Sequence, residues 1–417
     1  MGRTIAFTTL GCKLNFAETA FLERQFVASG YTIVKAQEVA DVYVLNSCSV
    51  TEHSDKKSRN ILRRFHKQNK DAFIAVIGCY AQLKPDEISE IEGVSLILGT
   101  DRKGDLLKHI DGLIGHKGKA VFKCDISCVE SVFPAFSSSE RTRAFLKVQD
   151  GCNYKCSYCT IPTARGKSRN ISIKTLIEET ENIAASGVKE IVLTGVNTGD
   201  FGRTTGETFL DLLKALNDVE GIERYRISSI EPNLLTQEMI EWISQGSKVV
   251  PHFHIPLQAG SDEILRRMRR RYTTSLFRNK IAMIRKYIDN VFFGIDVIVG
   301  FPGETDEVFE QTYKFLEEVR PAFLHVFPYS KRNNTDAALM PDQVDYRQKA
   351  ERVKRLSDLS DILHTEFYNS QKGSVRPVLF ENRDKDGKMF GYTDNYLRIE
   401  QPYDKSLIGE IVNVEVC

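Results

Sequence analysis

The chain has 417 residues, 41% of them apolar and 27% charged, with a formal net charge of +1. That length exceeds what one hydrophobic core organises and calls for two or three domains. The near-neutral balance excludes a whole-protein field that would draw the chain to nucleic acid or membrane, so any basic surface must be local.

No stretch approaches the ~18–20 uninterrupted apolar residues of a membrane span. The opening "MGRTIAFTTLGCKLNFAE" holds one basic residue, a short apolar run and then Asn15 and Glu18, which reads as a first strand rather than a leader. A cytoplasmic protein is expected. Nine cysteines, an odd number for a compartment where structural disulfides are rare, point to metal or redox chemistry.

In chain order, "TIAFTTL" (Thr4–Leu10), "DVYVLN" (Asp41–Asn46), "AFIAVIG" (Ala72–Gly78) and "VSLILG" (Val94–Gly99) alternate with helical stretches. Such alternation predicts an open parallel α/β sheet covered on both faces, over residues 1–130. "SVFPAFSSSERTR" reads as a linker. Six further strands begin at "AFLKVQD", "EIVLTG", "RYRISS", "HFHIPL", "VFFGIDVIVG" and "FLHVFPYS". They predict a partial (β/α)6 barrel over 138–368, closed by a helix from about Tyr346 to Phe367. Residues 371–417 turn to short alternating strands with Asp-Gly turns, a small antiparallel β-barrel.

The chemistry concentrates in cysteines. "DGCNYKCSYC" places Cys152, Cys156 and Cys159 at C-x3-C-x2-C directly after the first barrel strand, the end where such barrels carry their sites. A structural zinc site wants four ligands. Three thiolates on a four-iron cluster leave one iron open. Cys12, Cys48 and Cys79 each lie just past the carboxyl end of a predicted parallel strand, and those ends share one edge of an open sheet. Singly, each is more often a small buried residue. Together they predict a second metal site.

The C-x3-C-x2-C spacing, with Tyr158 before its last cysteine, resembles the radical S-adenosylmethionine superfamily. The two constellations in this order, with "TLGCKLNFAE", "NSCSVT", "GCYAQ", "CTIPTARGKSRN", "LTGVNTGDFG", "HFHIPLQAGSDEILRRMRRRY" and "IDVIVGFPGETDEVF", resemble the methylthiotransferase family along essentially the whole chain. The terminal barrel resembles the TRAM module, an RNA-binding fold. "GCKLN" and "CTIPTARGKSR" fit the branch acting on tRNA threonylcarbamoyladenosine beside the anticodon; sister branches act on isopentenyladenosine or on a ribosomal-protein aspartate.

The resemblance implies two [4Fe–4S] clusters, one on Cys12, Cys48 and Cys79 and one on Cys152, Cys156 and Cys159. It further implies S-adenosylmethionine, sulfide or polysulfide on the first cluster, a reducing electron donor and the tRNA anticodon loop as partner. Methylthio transfer to an unactivated adenine C2 is cofactor chemistry, so no catalytic triad is expected. Tyr158, Thr194, Gly195, Glu231 and Val299 are the implied cofactor contacts. Gly195 is equally readable as a turn glycine, and Glu231 as a solvated loop carboxylate. His252, His254 and His325 are either ligands or satisfied barrel-interior histidines.

Basic residues are candidates for RNA phosphate contacts: Arg63 on the helix after Cys48, Arg165, Lys167 and Arg169 beyond Cys159, and Arg269 within "RRMRRR". A basic face is also commonly just solvated. The chain departs from the family pattern after "FPYSKR", where "NNTDAALM" replaces a Gly-Thr turn; Asn333 and Asn334 tolerate positive φ there. The reading from a different class is a non-catalytic zinc-dependent RNA-binding protein.

Overall fold

The structure, a computed structural model, describes residues 2–116, 118–137, 142–382 and 386–417. Its first sheet holds β1 (Thr4–Thr9), β2 (Thr32–Ile33), β3 (Val42–Ser47), β4 (Phe73–Gly78), β5 (Val94–Leu98) and β6 (Ala120–Phe122). Their order is β2-β1-β3-β4-β5-β6, all parallel. Two of these, β2 and β6, go beyond the four strands expected. Every residue of β3 and β4 is buried, as a parallel strand covered on both faces requires. Period-two alternation divides them: Tyr43, Leu45 and Val76 join one core, Val44, Ala75 and Ile77 the other. Neighbours β1 and β3 flank the reversal in strand order, where open α/β sheets bind ligands at their carboxyl ends.

The barrel strands are β7 (Arg143–Lys147), β10 (Glu190–Thr194), β11 (Arg224–Ile227), β12 (His252–Gln258), β13 (Phe292–Val299) and β14 (Phe323–Pro328), with β8 (Gln149–Asp150) and β9 (Arg169–Asn170) paired at its mouth. Two parallel three-stranded sheets, β11-β10-β7 and β12-β13-β14, are joined by the bridges Tyr225–Val249 and Ser229–His254. The six expected units are present, and the barrel is open between β7 and β14. The helix Tyr346–Gln371 runs past the expected end at Phe367 and buries Leu356, Leu359 and Leu363 in the barrel core.

The expected linker is ordered where it is described; residues 138–141 lie outside the described ones. Phe136 bridges Leu146 in antiparallel fashion, and Lys147 N donates to Ala135 O at 2.9 Å. This segment covers the edge of β7 that an open barrel leaves exposed.

The terminal unit is a curled antiparallel sheet of β15 (Val375–Phe380), β16 (Lys388–Thr393), β17 (Arg398–Pro402) and β18 (Ile411–Glu415), in the order β17-β16-β15-β18. Asp386 and Gly387, leading into β16, both have positive φ, 57° and 74°, as an Asp-Gly turn demands. The sheet docks on the amino-terminal end of the barrel. Arg224 donates to Pro377 O (3.1 Å) and Tyr392 O (3.0 Å), and Arg226 to Asp394 O (3.0 Å) and Thr393 O (3.3 Å). Both guanidiniums also bind the buried Glu190, at 2.5 and 3.0 Å. Burial pushes the Glu190 carboxyl up, but Arg226, Arg224 and Arg143 outweigh it and hold its pKa at about 2. No helix among the described residues is long and apolar enough to cross a membrane.

Candidate active site

The first constellation is assembled by the strand ends. Cys12 caps the helix Lys13–Ala28, Cys48 follows β3, and Cys79 opens the helix Cys79–Leu83. None of the three is in a disulfide. Gly11 makes the approach possible: its φ is +97°, and a Cβ there would lie 2.7 Å from Cys48 Cβ and 2.8 Å from its Sγ. Gly78, at φ +103°, has Ser47 O in the same place at 2.5 Å. Asn15 ties the loops together, donating to Leu10 O at 2.7 Å and Ser47 O at 3.1 Å. Burial, then the neighbouring Cys79, pushes the Cys48 thiol up to about 11. A thiol as buried as that of Cys48 ionises readily only against a cation, which suits an iron–sulfur donor.

The second constellation lies in the loop after β8. Tyr154 N donates to Cys152 Sγ and Ile161 N to Cys159 Sγ, each at 3.4 Å, and Arg270 Nη1 lies 3.1 Å from Cys156 Sγ. Burial and the neighbouring Cys156 push Cys152 to about 11 and Cys159 to about 12. These N–H donors aimed at sulfur again fit cluster thiolates. The loop is pinned from behind: Ser157 N donates to Met268 O at 3.1 Å and Ser157 Oγ to Arg267 O at 2.8 Å.

A buried ionic joint connects the two. Glu18, on the helix that Cys12 caps, binds Lys103 (2.7 Å) and Lys147 (2.8 Å); Lys147 and Arg165 each bind Asp150 (2.9 Å), two residues before Cys152. Arg165 Nη2 reaches Asn15 Oδ1 at 2.6 Å, and its charge feels Cys79 and Cys12. Burial pushes the Glu18 carboxyl up, but Lys103, Lys147 and Arg165 together hold it well below the usual range. A second tie comes from Arg332, whose Nη2 donates to Ser49 O (2.8 Å) and Asp55 Oδ2 (2.9 Å) in the segment after Cys48. Asn334, two residues on, has φ +68°, so the substituted turn keeps its left-handed residue.

These contacts correct part of the basic-surface expectation. Arg165 is 1% exposed and Arg169 6%; Arg169 donates to Ser131 O, Arg165 O and Lys167 O. Neither reaches solvent, because each charge is spent inside the joint. Lys167, Arg63 and Arg269 are exposed, Arg269 with Asp336 as ion partner. Arg270, from the same basic run, turns inward between Cys156 and Glu231.

Around the barrel mouth, Tyr158 meets Phe301 edge-on at 6.2 Å. Burial pushes the Glu231 carboxyl up, although Arg270 pulls it down. At Gly195 a Cβ would lie 2.9 Å from Gln149 Oε1, which itself accepts from Val196 N and Asn197 N. Val299 is fully buried in the barrel core and its carbonyl accepts from Tyr329 N at 2.8 Å. Sequence reasoning missed Asn197 and Ser228. The Thr194 hydroxyl, both polar atoms of the Asn197 amide and the Ser228 hydroxyl are buried without a hydrogen-bond partner among the described residues. Buried polar atoms are normally paired, and this group at adjoining strand ends fits a polar ligand such as S-adenosylmethionine. A side chain with two idle polar atoms carries no sequence signature beyond lying in the "LTGVN" turn.

Below the mouth, a cavity of about 630 Å³ lies where the three units meet. Gly11 and Lys13 line it from the first sheet, Arg143 and Arg226 from the barrel, Tyr392 and Tyr396 from the terminal sheet. His254 Nε2 lies 2.6 Å from Asp296 Oδ1 on its wall, and with His325 the ligating atoms fall within 4.8 Å. His252 instead stacks on Phe292, with centroids 5.5 Å apart.

The chain matches the Radical SAM superfamily over residues 146–316, the uncharacterized protein family UPF0004 over 4–99 and the TRAM domain over 369–417. It is 42% identical to the threonylcarbamoyladenosine tRNA methylthiotransferase MtaB of Bacillus subtilis, across 99% of this chain and 93% of that protein. Identity to the corresponding Aquifex aeolicus protein is 36%, across 98% and 99%. A tRNA-2-methylthio-N(6)-dimethylallyladenosine synthase of Alkaliphilus oremlandii is 34% identical, across 98% and 89%. Among solved structures, the radical S-adenosylmethionine methyltransferase TsrM of Kitasatospora setae shares the fold, with a TM-score of 0.59 at 14% identity, over 81% of this chain and 77% of that one.

Proposed function

The chain belongs to the tRNA methylthiotransferase family of radical S-adenosylmethionine enzymes, and we propose that its six strand-end cysteines hold two [4Fe–4S] clusters with different tasks. The reaction is conversion of N6-threonylcarbamoyladenosine in tRNA to its 2-methylthio derivative. When bound, the clusters and S-adenosylmethionine supply the radical that activates adenine C2 and the methylthio group placed there.

The residues of this chain bind, orient and exclude water. Cys152, Cys156 and Cys159 would hold the cluster that supplies reductive cleavage of S-adenosylmethionine, with Arg270 against Cys156. Thr194, Asn197 and Ser228, whose side-chain polar atoms are idle, receive the cofactor's polar groups, with the Arg270-paired Glu231 beside Cys156 as a further acceptor. Cys12, Cys48 and Cys79 would hold the second cluster, which would supply the sulfur. The buried joint through Glu18, Asp150 and Arg165 fixes the two cysteine sets relative to each other. The cavity below takes the modified adenosine, unstacked from its loop as base-modifying enzymes require. The units are residues 1–130, 138–368 and 371–417, the last positioning RNA; a low-potential electron donor and a cytoplasmic setting complete the scheme.

One observation carries this reading: two three-cysteine sets at strand ends, free of disulfides and coupled through a single buried ionic network. Nucleoside mass spectrometry tests it. Anaerobically reconstituted protein with S-adenosylmethionine, reductant, sulfide and tRNA is expected to add a methylthio group to the threonylcarbamoyl nucleoside. Product on isopentenyladenosine alone would reassign the substrate. Product that persists after Cys12, Cys48 and Cys79 are replaced by alanine would remove the sulfur-transfer role of that set.

A further inference from the structure

Lys13 stands next to Cys12 and lines the cavity where the three units meet. The other lysine and arginine side chains of that wall are committed. Arg143 pairs with Glu381 at 2.8 Å, Arg226 with Glu190 at 3.0 Å, and Arg398 with Glu400 at 2.7 Å. The Lys13 ammonium has no ion pair or hydrogen bond among the described residues. Arg143 and Arg226 lie within electrostatic reach, and the carboxylates that also reach it, Glu190 and Asp296, are already engaged by Arg226 and His254. A half-buried cation whose neighbouring carboxylates are all taken by other cations is costly, and a ligand anion lowers that cost.

The substrate offers such an anion at a defined place. The threonylcarbamoyl group hangs from adenine N6 and ends in a carboxylate. C2, the carbon to be modified, lies on the same edge of the ring, separated from C6 only by N1. The bonds at C2 and C6 diverge, but a nucleoside whose C2 faces the sulfur site at Cys12 keeps N6 on the facing edge, within reach of the residues flanking Cys12 for an arm as long as threonylcarbamoyl. An isopentenyl substituent in the same pose would bring only hydrocarbon to the ammonium.

We propose that Lys13 is the residue that recognises the threonyl carboxylate and so selects this nucleoside over N6-alkylated adenosines. The inference rests on the threonylcarbamoyl reading of the substrate given above. A charge-assisted hydrogen bond in an enclosed site predicts a discrimination of about tenfold to a hundredfold.

The test uses reconstituted full-length protein and one tRNA in three forms, carrying threonylcarbamoyladenosine, isopentenyladenosine or unmodified adenosine. Equilibrium binding by fluorescence anisotropy and methylthio product formation are both read. For the wild type, threonylcarbamoyl tRNA should bind about tenfold or more tighter than unmodified tRNA. Lys13→Met should abolish that ratio and raise KM for the threonylcarbamoyl form more than it lowers kcat. Lys13→Arg, which keeps the charge, should restore the ratio and controls for misfolding. Equal loss of affinity for all three tRNAs, with a shallower salt dependence, would mean that Lys13 meets an RNA phosphate and would overturn the proposal. An unchanged ratio in Lys13→Met would overturn it too. A wild type that modifies only isopentenyladenosine would instead overturn the substrate reading on which the inference rests.

Discussion

Cys152, Cys156 and Cys159 sit in one loop, whereas Cys12, Cys48 and Cys79 come from three separate strand ends. The loop set needs only a short stretch of chain to be folded around its cluster. The dispersed set exists only when β1, β3 and β4 are in register and Gly11 and Gly78 hold their left-handed turns. The difference teaches that ligand spacing in sequence reports how much of the fold must form before a metal can bind. It also explains the heavy investment in Glu18, Asp150 and Arg165, which tie the fold-dependent site to the local one.

Replacing cysteines should separate the two sets most sharply. Alanine at Cys152, Cys156 or Cys159 is expected to reduce S-adenosylmethionine cleavage to background. Alanine at Cys12, Cys48 or Cys79 should leave that cleavage measurable and remove methylthio product; loss of cleavage in both series would erase the distinction. Next in size, Glu18→Gln leaves Lys103, Lys147 and Arg165 facing one another without their shared counter-charge, a loss of about 3–5 kcal/mol. Anaerobic thermal denaturation reads this as a lowered Tm, and an unchanged Tm would show that the joint holds nothing. The carboxyl of Glu18 is held well below its ordinary value, so its stabilisation is complete above about pH 4.5 and is lost as pH falls further. Glu18→Gln should flatten that acid limb.

The glycines offer a matched pair of smaller changes. Gly11→Ala forces a Cβ to within 2.7 Å of Cys48 Cβ, and Gly151→Ala forces one to within 2.0 Å of Lys167 O. Each should cost about 1–3 kcal/mol locally and lower iron content by one cluster, a different one in each case. Smallest of all, Arg63→Ala and Lys167→Ala should weaken tRNA binding a few-fold and reduce the salt slope by about one. A larger loss would make either residue more than a phosphate contact.

The loop set was legible because three cysteines within eight residues leave few bland explanations. The dispersed set was legible only through topology, by counting parallel strands and looking past each end. What stayed hidden is ionic. A run of cations in sequence does not say which side chains turn inward, so Arg165, Arg169 and Arg270 read as surface while their partners lay far along the chain. Glu18 did carry a signal: it shares a helix face with the buried Leu14 and Leu22, an acidic residue on an apolar stripe. Asn197 and Ser228 carried none, since their idle polar atoms depend on a backbone turn.

Arg224 and Arg226 seat the terminal sheet through main-chain oxygens of Pro377, Tyr392, Thr393 and Asp394, and beside them Glu381 pairs with Arg143 while the rings of Tyr392 and Tyr396 lie against Arg143 and Arg226. Carbonyls look alike whatever residue carries them. The rest of that module's sequence is therefore free to diverge without renegotiating its anchorage to the barrel, provided Glu381 and the two tyrosines are kept.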